Sequence, residues 1–181
     1  MTSTSSQVSI HPFTGARWIL EDNKLGGGKS GSIEATPDER AAIATALDLL
    51  DCRSLTLRYN LKAMQPKGFR MRVEVTADVV QACVITTEPV ASVAREEVDL
   101  DLLPAKSGAA QADEFSIDPL AETASETYAD GRINLGQYAF ELLSTAIDPY
   151  PRKPGAEFTD AGQTDKAKLS PFAALARLRR E

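Results

Sequence analysis

The chain has 181 residues, of which 43% are hydrophobic and 25% are charged, as is typical of one soluble globular domain. Its 20 basic and 26 acidic side chains leave a net charge of -6, which argues against a protein that coats nucleic acid with its whole surface. Two cysteines are too few for a disulfide framework, and neither a secretory signal nor an apolar run of membrane-spanning length is visible. We therefore expect a cytoplasmic protein with no membrane contact.

The first third of the chain predicts a strand, a loop and a helix. A first strand is expected between about 7 and 20, and the Gly/Ser-rich stretch 24–32 predicts a flexible loop. That stretch ends in Gly28-Lys29-Ser30, but the first glycine of a phosphate-binding loop is replaced by Asn23, so nucleotide binding is disfavoured. Thr36-Pro37-Asp38-Glu39 then forms a capping box, which predicts a helix from Pro37 to Leu50.

Three segments near 54–63, 68–82 and 90–103 alternate apolar and polar residues, which predicts an antiparallel meander. A second helix is expected from Asn134, a good N-cap, to Ile147. These elements predict an α+β fold in which an antiparallel sheet of about five or six strands packs with two main helices. A short C-terminal helix is expected near 170–180.

Charge is distributed unevenly along the chain. Residues 96–130 carry ten carboxylates against Lys106 alone, which predicts an acidic segment that could dock a basic partner. Within it, residues 105–130 are expected to form a partly mobile insertion. Residues 150–181 instead have a net charge of +3. We expect a single domain over 1–158, followed by a polar linker and basic tail over 159–181.

No constellation of catalytic residues is visible, so we expect a protein that is not an enzyme, with no cofactor and no small-molecule substrate. The alternative, an undetected enzyme, would need a carboxylate pair such as Glu88 with Glu74 or Asp78. His11 is the single histidine, and without a second histidine or a third cysteine no tetrahedral zinc site is expected. Cys52 and Cys83 are expected to be buried thiols.

Two blocks of the sequence resemble one bacterial family. The block from Val79 to Val90 contains Cys83, Thr86 and Glu88-Pro89 after a strand, and the block from Gly136 to Phe158 contains a helix followed by P-Y-P-R-K-P-G-A-E-F. Together they resemble the YceD family of large ribosomal RNA subunit accumulation proteins, in its alphaproteobacterial-like branch, with Cys83, Glu88 and Pro89 as the family signature. Thr86 stands at the second cysteine of the family's C-x-x-C, so a metal or redox pair does not apply here.

The resemblance implies a non-enzymatic factor that supports accumulation of large-subunit (23S) ribosomal RNA and ribosome assembly by binding that RNA or a ribosomal protein. The alternative is an acidic adaptor or chaperone for a basic protein, without RNA contact. Two prolines hold the segment after the second helix extended, so its aromatic and basic side chains could stack on bases and contact phosphates. The expected contact residues are Tyr150, Arg152, Lys153, Arg177, Arg179 and Arg180.

Overall fold

The computed structural model describes residues 12–13, 15–105 and 124–157. In these ranges the strands are β1 (Ile19–Glu21), β2 (Gly28–Glu34), β3 (Asp51–Ala63), β4 (Phe69–Ala82), β5 (Pro89–Pro104), β6 (Ala124–Tyr128) and β7 (Arg132–Asn134). The helices are α1 (Pro37–Ala46) and α2 (Leu135–Ala146), and two short 3-10 turns, Ala16–Trp18 and Asp22–Lys24, flank β1. The expected first strand is reduced to β1, and residues 7–11 and 14 of the expected range lie outside the described ranges.

The strands form a five-stranded sheet in the order β2-β3-β4-β5-β6 and a separate antiparallel pair, β1-β7. Strands β2 to β5 pair antiparallel, as the meander predicts, and the α+β prediction is confirmed. The expectation of a purely antiparallel sheet is wrong at β6, which lies parallel to β5. Parallel strands cannot be joined by a tight hairpin, so local turn signals gave no indication of this pairing.

The core lies on the sheet face that the helices cover. Alternate residues of β3 and β4 are buried there, among them Leu57 and Val75, because successive side chains of a strand point to opposite faces. From α2, Leu135, Ala139 and Leu143 add a fully buried stripe. Each large aliphatic side chain buried in this way stabilises the fold by roughly 1.5–3 kcal/mol.

Helix α1 begins as predicted. The Thr36 side chain accepts from the Glu39 N–H, the Glu39 carboxylate accepts from the Thr36 N–H, and Pro37 occupies the first turn. The Glu39 carboxylate also accepts from Trp18 Nε1 at 2.8 Å and forms an ion pair with Arg17, so one side chain ties the N-terminal segment to the helix. The helix ends at Ala46 rather than Leu50 because Asp48, at φ 53°, turns the chain toward β3.

The predicted loop at 24–32 is wrong from Gly28 onward, where β2 pairs with β3 through seven residues. The glycines, which favour a loop on propensity alone, are needed for close packing. At Gly31 a Cβ would lie 2.6 Å from Tyr59 Oη, and at Gly28, with φ +144°, it would lie 2.3 Å from the Leu61 carbonyl oxygen. Tertiary contact therefore overrides the local preference.

The other sheet face is exposed and carries charged side chains in register across strands. Arg70 Nε donates to Asp101 at 2.8 Å, Arg72 Nε donates to Asp99 at 3.0 Å, and Arg95 forms an ion pair with Glu74. The acidic residues at 97–101 are therefore strand residues whose carboxylates already pair with arginines of β4, and the docking role expected of the acidic segment stays a prediction. Residues 124–130 of the predicted mobile insertion likewise contain β6 and a turn; residues 106–123, the tail and its predicted helix lie outside the described ranges.

Candidate functional site

The turn between β4 and β5 is closed by its own backbone. The Cys83 N–H donates to the Glu88 carbonyl at 2.8 Å, and the Thr87 N–H donates to the Cys83 carbonyl at 2.9 Å. Thr87 adopts a left-handed φ of 60°, and Pro89 opens β5, a strand position that tolerates its missing N–H. These hydrogen bonds fix the backbone of residues 83–88, which we call the Cys83 turn.

The segment that follows α2 packs onto the Cys83 turn. We call it the proline loop, residues 148–155. The Val84 N–H donates to the Pro151 carbonyl at 2.9 Å, and Gln81 Nε2 donates to the Asp148 carbonyl at 2.8 Å. Within the loop, the Tyr150 N–H donates to Asp148 Oδ1 at 2.8 Å. Gln81 was not predicted as part of the site, although it is the one amide in an otherwise apolar stretch of β4, which was the available signal.

Cys83 joins the turn to the loop. Its side chain is 1% exposed, and Sγ accepts hydrogen bonds from the backbone N–H of Lys153 at 3.4 Å and of Thr86 at 3.5 Å. The N–H of Lys153, followed by the donors of Thr86, lowers the pKa of the Cys83 thiol to about 6. The predicted burial of this thiol is confirmed, and the structure adds that its sulfur is a hydrogen-bond acceptor between two segments.

The second cysteine provides a contrast in the same fold. Cys52 lies at the start of β3 and is also buried, but its Sγ is 3.6 Å from a carbonyl oxygen, that of Ser54. Burial raises the pKa of the Cys52 thiol to about 11, and the positive charge of Arg40 only partly offsets the loss of water around a thiolate. Both thiols are buried, so the N–H groups beside Cys83 account for the difference between the two pKa values.

A salt bridge closes the exposed side of the site. Lys153 Nζ lies 2.9 Å from Glu88 Oε1, and both side chains are about half exposed. The Lys153 ammonium lowers the pKa of the Glu88 carboxyl. The structure thus brings together Cys83 and Glu88 from the first sequence block and Lys153 from the second, at a place where Pro89 leads the chain back into the sheet.

The remaining predicted contact residues differ in what they offer to a partner. Tyr150 is 70% exposed and Val84 beside the loop is 50% exposed. Arg152 is exposed and has no carboxylate partner among the described residues, whereas the ammonium of Lys153 is already paired. The three tail arginines, Arg177, Arg179 and Arg180, lie outside the described ranges.

The structure does not assemble the carboxylate pairs considered for an enzyme. Glu74 and Asp78 lie within β4, eight and four residues before Ala82, the residue paired with Pro89. At roughly 3.3 Å per strand residue, even Asp78 is about 16 Å along the strand from Cys83, where the turn begins. Glu74 is paired with Arg95, and Glu88 with Lys153. In the described ranges, no three His, Cys, Asp or Glu side chains form a group that could hold a metal.

Comparisons of the chain with models of known protein families, with curated proteins and with solved structures find no match in any of the three. Neither helix of the described part has the length and apolar character needed to cross a membrane.

Proposed function

We propose that this protein is a non-enzymatic cytoplasmic factor that supports large-subunit ribosomal RNA accumulation and ribosome assembly, and that it contacts RNA through the proline loop. The observation that carries the proposal is the docking of this loop on the Cys83 turn. The two sequence blocks that resemble the YceD family are far apart in the chain, yet they meet through the hydrogen bonds of Val84, Cys83 and Lys153.

The docked loop has the chemistry of a small single-stranded RNA contact. The Tyr150 ring is exposed for stacking on a base, and Arg152 is exposed for a phosphate. Because the loop is held by backbone hydrogen bonds and by Pro149 and Pro151, little conformational entropy remains to be lost on binding. The Glu88 carboxylate partly neutralises Lys153, so Arg152 is the main cation that the loop presents.

The proposal is tested by titrating large-subunit ribosomal RNA fragments against the protein over a range of salt concentrations. Each phosphate contact that is removed should reduce the slope of log K against log salt by about one unit. We expect Arg152→Ala to lower both the affinity and the slope, and Lys153→Ala to lower them less. Tyr150→Ala should lower the affinity with little change in slope, because stacking releases few counterions.

The matched control is Lys67→Ala, which removes an exposed cation at the β3–β4 turn, at the opposite end of the sheet. It should leave affinity and slope unchanged. If Arg152→Ala behaved like Lys67→Ala in both quantities, the RNA contact at the proline loop would be wrong. Retention of a basic protein partner by such a variant would then favour the adaptor hypothesis.

A further inference from the structure

Strand β2 is an open edge of the five-stranded sheet within the described ranges. At its two ends, the Ala63 N–H donates to the Gly27 carbonyl and the Ala35 N–H donates to the Leu55 carbonyl, both in the register of the strand pair. Because antiparallel positions alternate in their bonding, the odd-numbered residues of β2 bond to β3 and the even-numbered residues point their backbone groups away.

Contacts at both ends of the edge agree with this alternation. The Gly28 N–H donates to the Leu25 carbonyl in the preceding turn, and Arg17 Nη1 donates to the Glu34 carbonyl at 2.9 Å. Between them, Ser30 and Ser32 have no partner for their N–H and carbonyl groups among the described residues. The centre of β2 thus presents two donors and two acceptors in a row along the open side.

Most of the usual protections of a strand edge are missing from β2. The strand contains no proline, and its pairing with β3 shows no register shift. Residues 28, 30 and 32, which lie on the exposed face of the sheet, are glycine or serine and have no bulky side chain. Lys29 is its one basic residue. Strand β6, the opposite edge, is shorter, with five residues against seven, and Tyr138 from α2 donates to its Glu126 at 2.6 Å.

The exposed sheet face beside this edge carries two basic side chains, and Glu74, which lies opposite Arg58 on β4, is already paired with Arg95. Arg58 lies opposite Ser32, and Lys62 lies opposite Gly28, on the exposed face of β3. Neither side chain has a carboxylate partner among the described residues, whereas the arginines of β4 are neutralised by β5. Glu34 is the one carboxylate on this face of β2, at the far end of the edge. A ligand here should therefore carry negative charge.

The alternation of donors and acceptors identifies the ligand class. A phosphate group offers acceptors only and would leave the Ser30 and Ser32 carbonyls without partners, whereas an extended peptide matches both kinds of group. We propose that the β2 edge binds an extended segment of a partner protein with acidic side chains at alternate positions, which adds to the sheet as a strand. This proposal goes beyond the RNA contact and does not depend on it.

The test uses a fluorescein-labelled peptide in which glutamate and valine alternate, and a matched peptide with lysine in place of glutamate. Binding to the full chain is measured by fluorescence anisotropy. Ser32→Pro removes an N–H that points away from β3, so the sheet is retained, while Ser32→Ala keeps that N–H and is the control. We expect the acidic peptide to bind more tightly than the basic one, and Ser32→Pro to weaken it on the order of tenfold.

Charge reversal supplies a second, independent variant. Arg58→Glu together with Lys62→Glu should reverse the preference between the two peptides without altering the backbone edge. Equal binding of both peptides, no binding of either, or full binding to Ser32→Pro would overturn the proposal. Self-association that Ser32→Pro abolishes, in the absence of peptide binding, would overturn it in favour of a second copy of the chain. Circular dichroism confirms that each variant is folded.

Discussion

The Cys83 turn and the β2 edge differ in how far the chain satisfies its own polar groups. At the turn, N–H groups of Val84, Thr86 and Lys153 all find acceptors within the protein, and Lys153 also finds Glu88. At the β2 edge, the backbone of Ser30 and Ser32 finds none among the described residues. Where the backbone groups are hydrogen-bonded within the protein, a partner can be bound only by side chains. At an open edge, the backbone N–H and carbonyl groups can bind a partner as well.

The largest effect is expected at the edge strand, where Gly28→Ala would force a Cβ to 2.3 Å from the Leu61 carbonyl oxygen at φ +144°. We expect a loss on the order of 3 kcal/mol in the free energy of unfolding, from the combined clash and backbone strain. Gly27→Ala is the control, because nothing lies within 4 Å of its Cβ position. Urea unfolding curves of both variants check this, and equal midpoints would contradict the packing described for β2.

The next largest effect is expected at the Cys83 turn, where the contribution of Cys83 to the free energy of unfolding should depend on pH. The folded pKa of Cys83 is about 6, below the value of about 8.5 for an unfolded thiol. Between these values the unfolded state binds a proton that the folded state does not, so stability rises with pH and this contribution is lost below about pH 6. We expect the difference in unfolding free energy between the wild type and Cys83→Ala to grow from pH 6 to pH 8.5.

Cys52 serves as a control, because its contribution to stability should change with pH in the opposite direction. Its folded pKa of about 11 lies above that of the unfolded thiol, so its contribution should fall as the pH rises past about 8.5. The ultraviolet absorbance of the thiolate in Cys52→Ser and Cys83→Ser variants measures the two titrations separately. A Cys83 thiol that ionised near pH 9 would show that the Lys153 N–H is not directed at the sulfur.

The smallest effect is expected for the salt bridge between Lys153 and Glu88, since both side chains are about half exposed and surface pairs contribute little. Lys153→Met should destabilise the fold only slightly. The loss should vanish as the pH falls through the lowered pKa of Glu88, because a protonated carboxyl gains nothing from the ammonium. Lys24→Met, which removes the exposed pair with Glu21, is the matched control for thermal unfolding at several pH values.

Elements defined by local chemistry were predictable from the sequence. The capping box before α1, the Asn134 N-cap of α2 and the alternation in β3, β4 and β5 all rest on interactions within a few residues, and the structure confirms each of them. The ion pairs of the β5 carboxylates were not predicted, because a count of charges ignores the register between strands. Arg70 and Arg72 alternate with the same period as Asp99 and Asp101, a complementarity between neighbouring strands that the sequence did contain.

The candidate site was predicted as two separate pieces. The sequence identified Cys83, Glu88, Tyr150, Arg152 and Lys153, but their meeting depends on contacts across about 70 residues, such as that of the Lys153 N–H with Cys83 Sγ. No local pattern encodes such a contact. The β2 edge was missed for a related reason, since its glycines indicate a loop until the Tyr59 ring and the Leu61 carbonyl that pack against them are known.

The packing of Trp18 has a consequence for measurement. It is the one tryptophan of the chain, it is fully buried, and its ring contacts Phe13 at a centroid distance of 4.4 Å while its N–H is held by Glu39. Its fluorescence should therefore be shifted to the blue, and it reports on one location, the junction between the N-terminal segment and α1. Arg17, the residue before Trp18, donates a hydrogen bond to the Glu34 carbonyl at the end of β2. We therefore expect the fluorescence of Trp18 to change, without any added label, when a ligand occupies that edge.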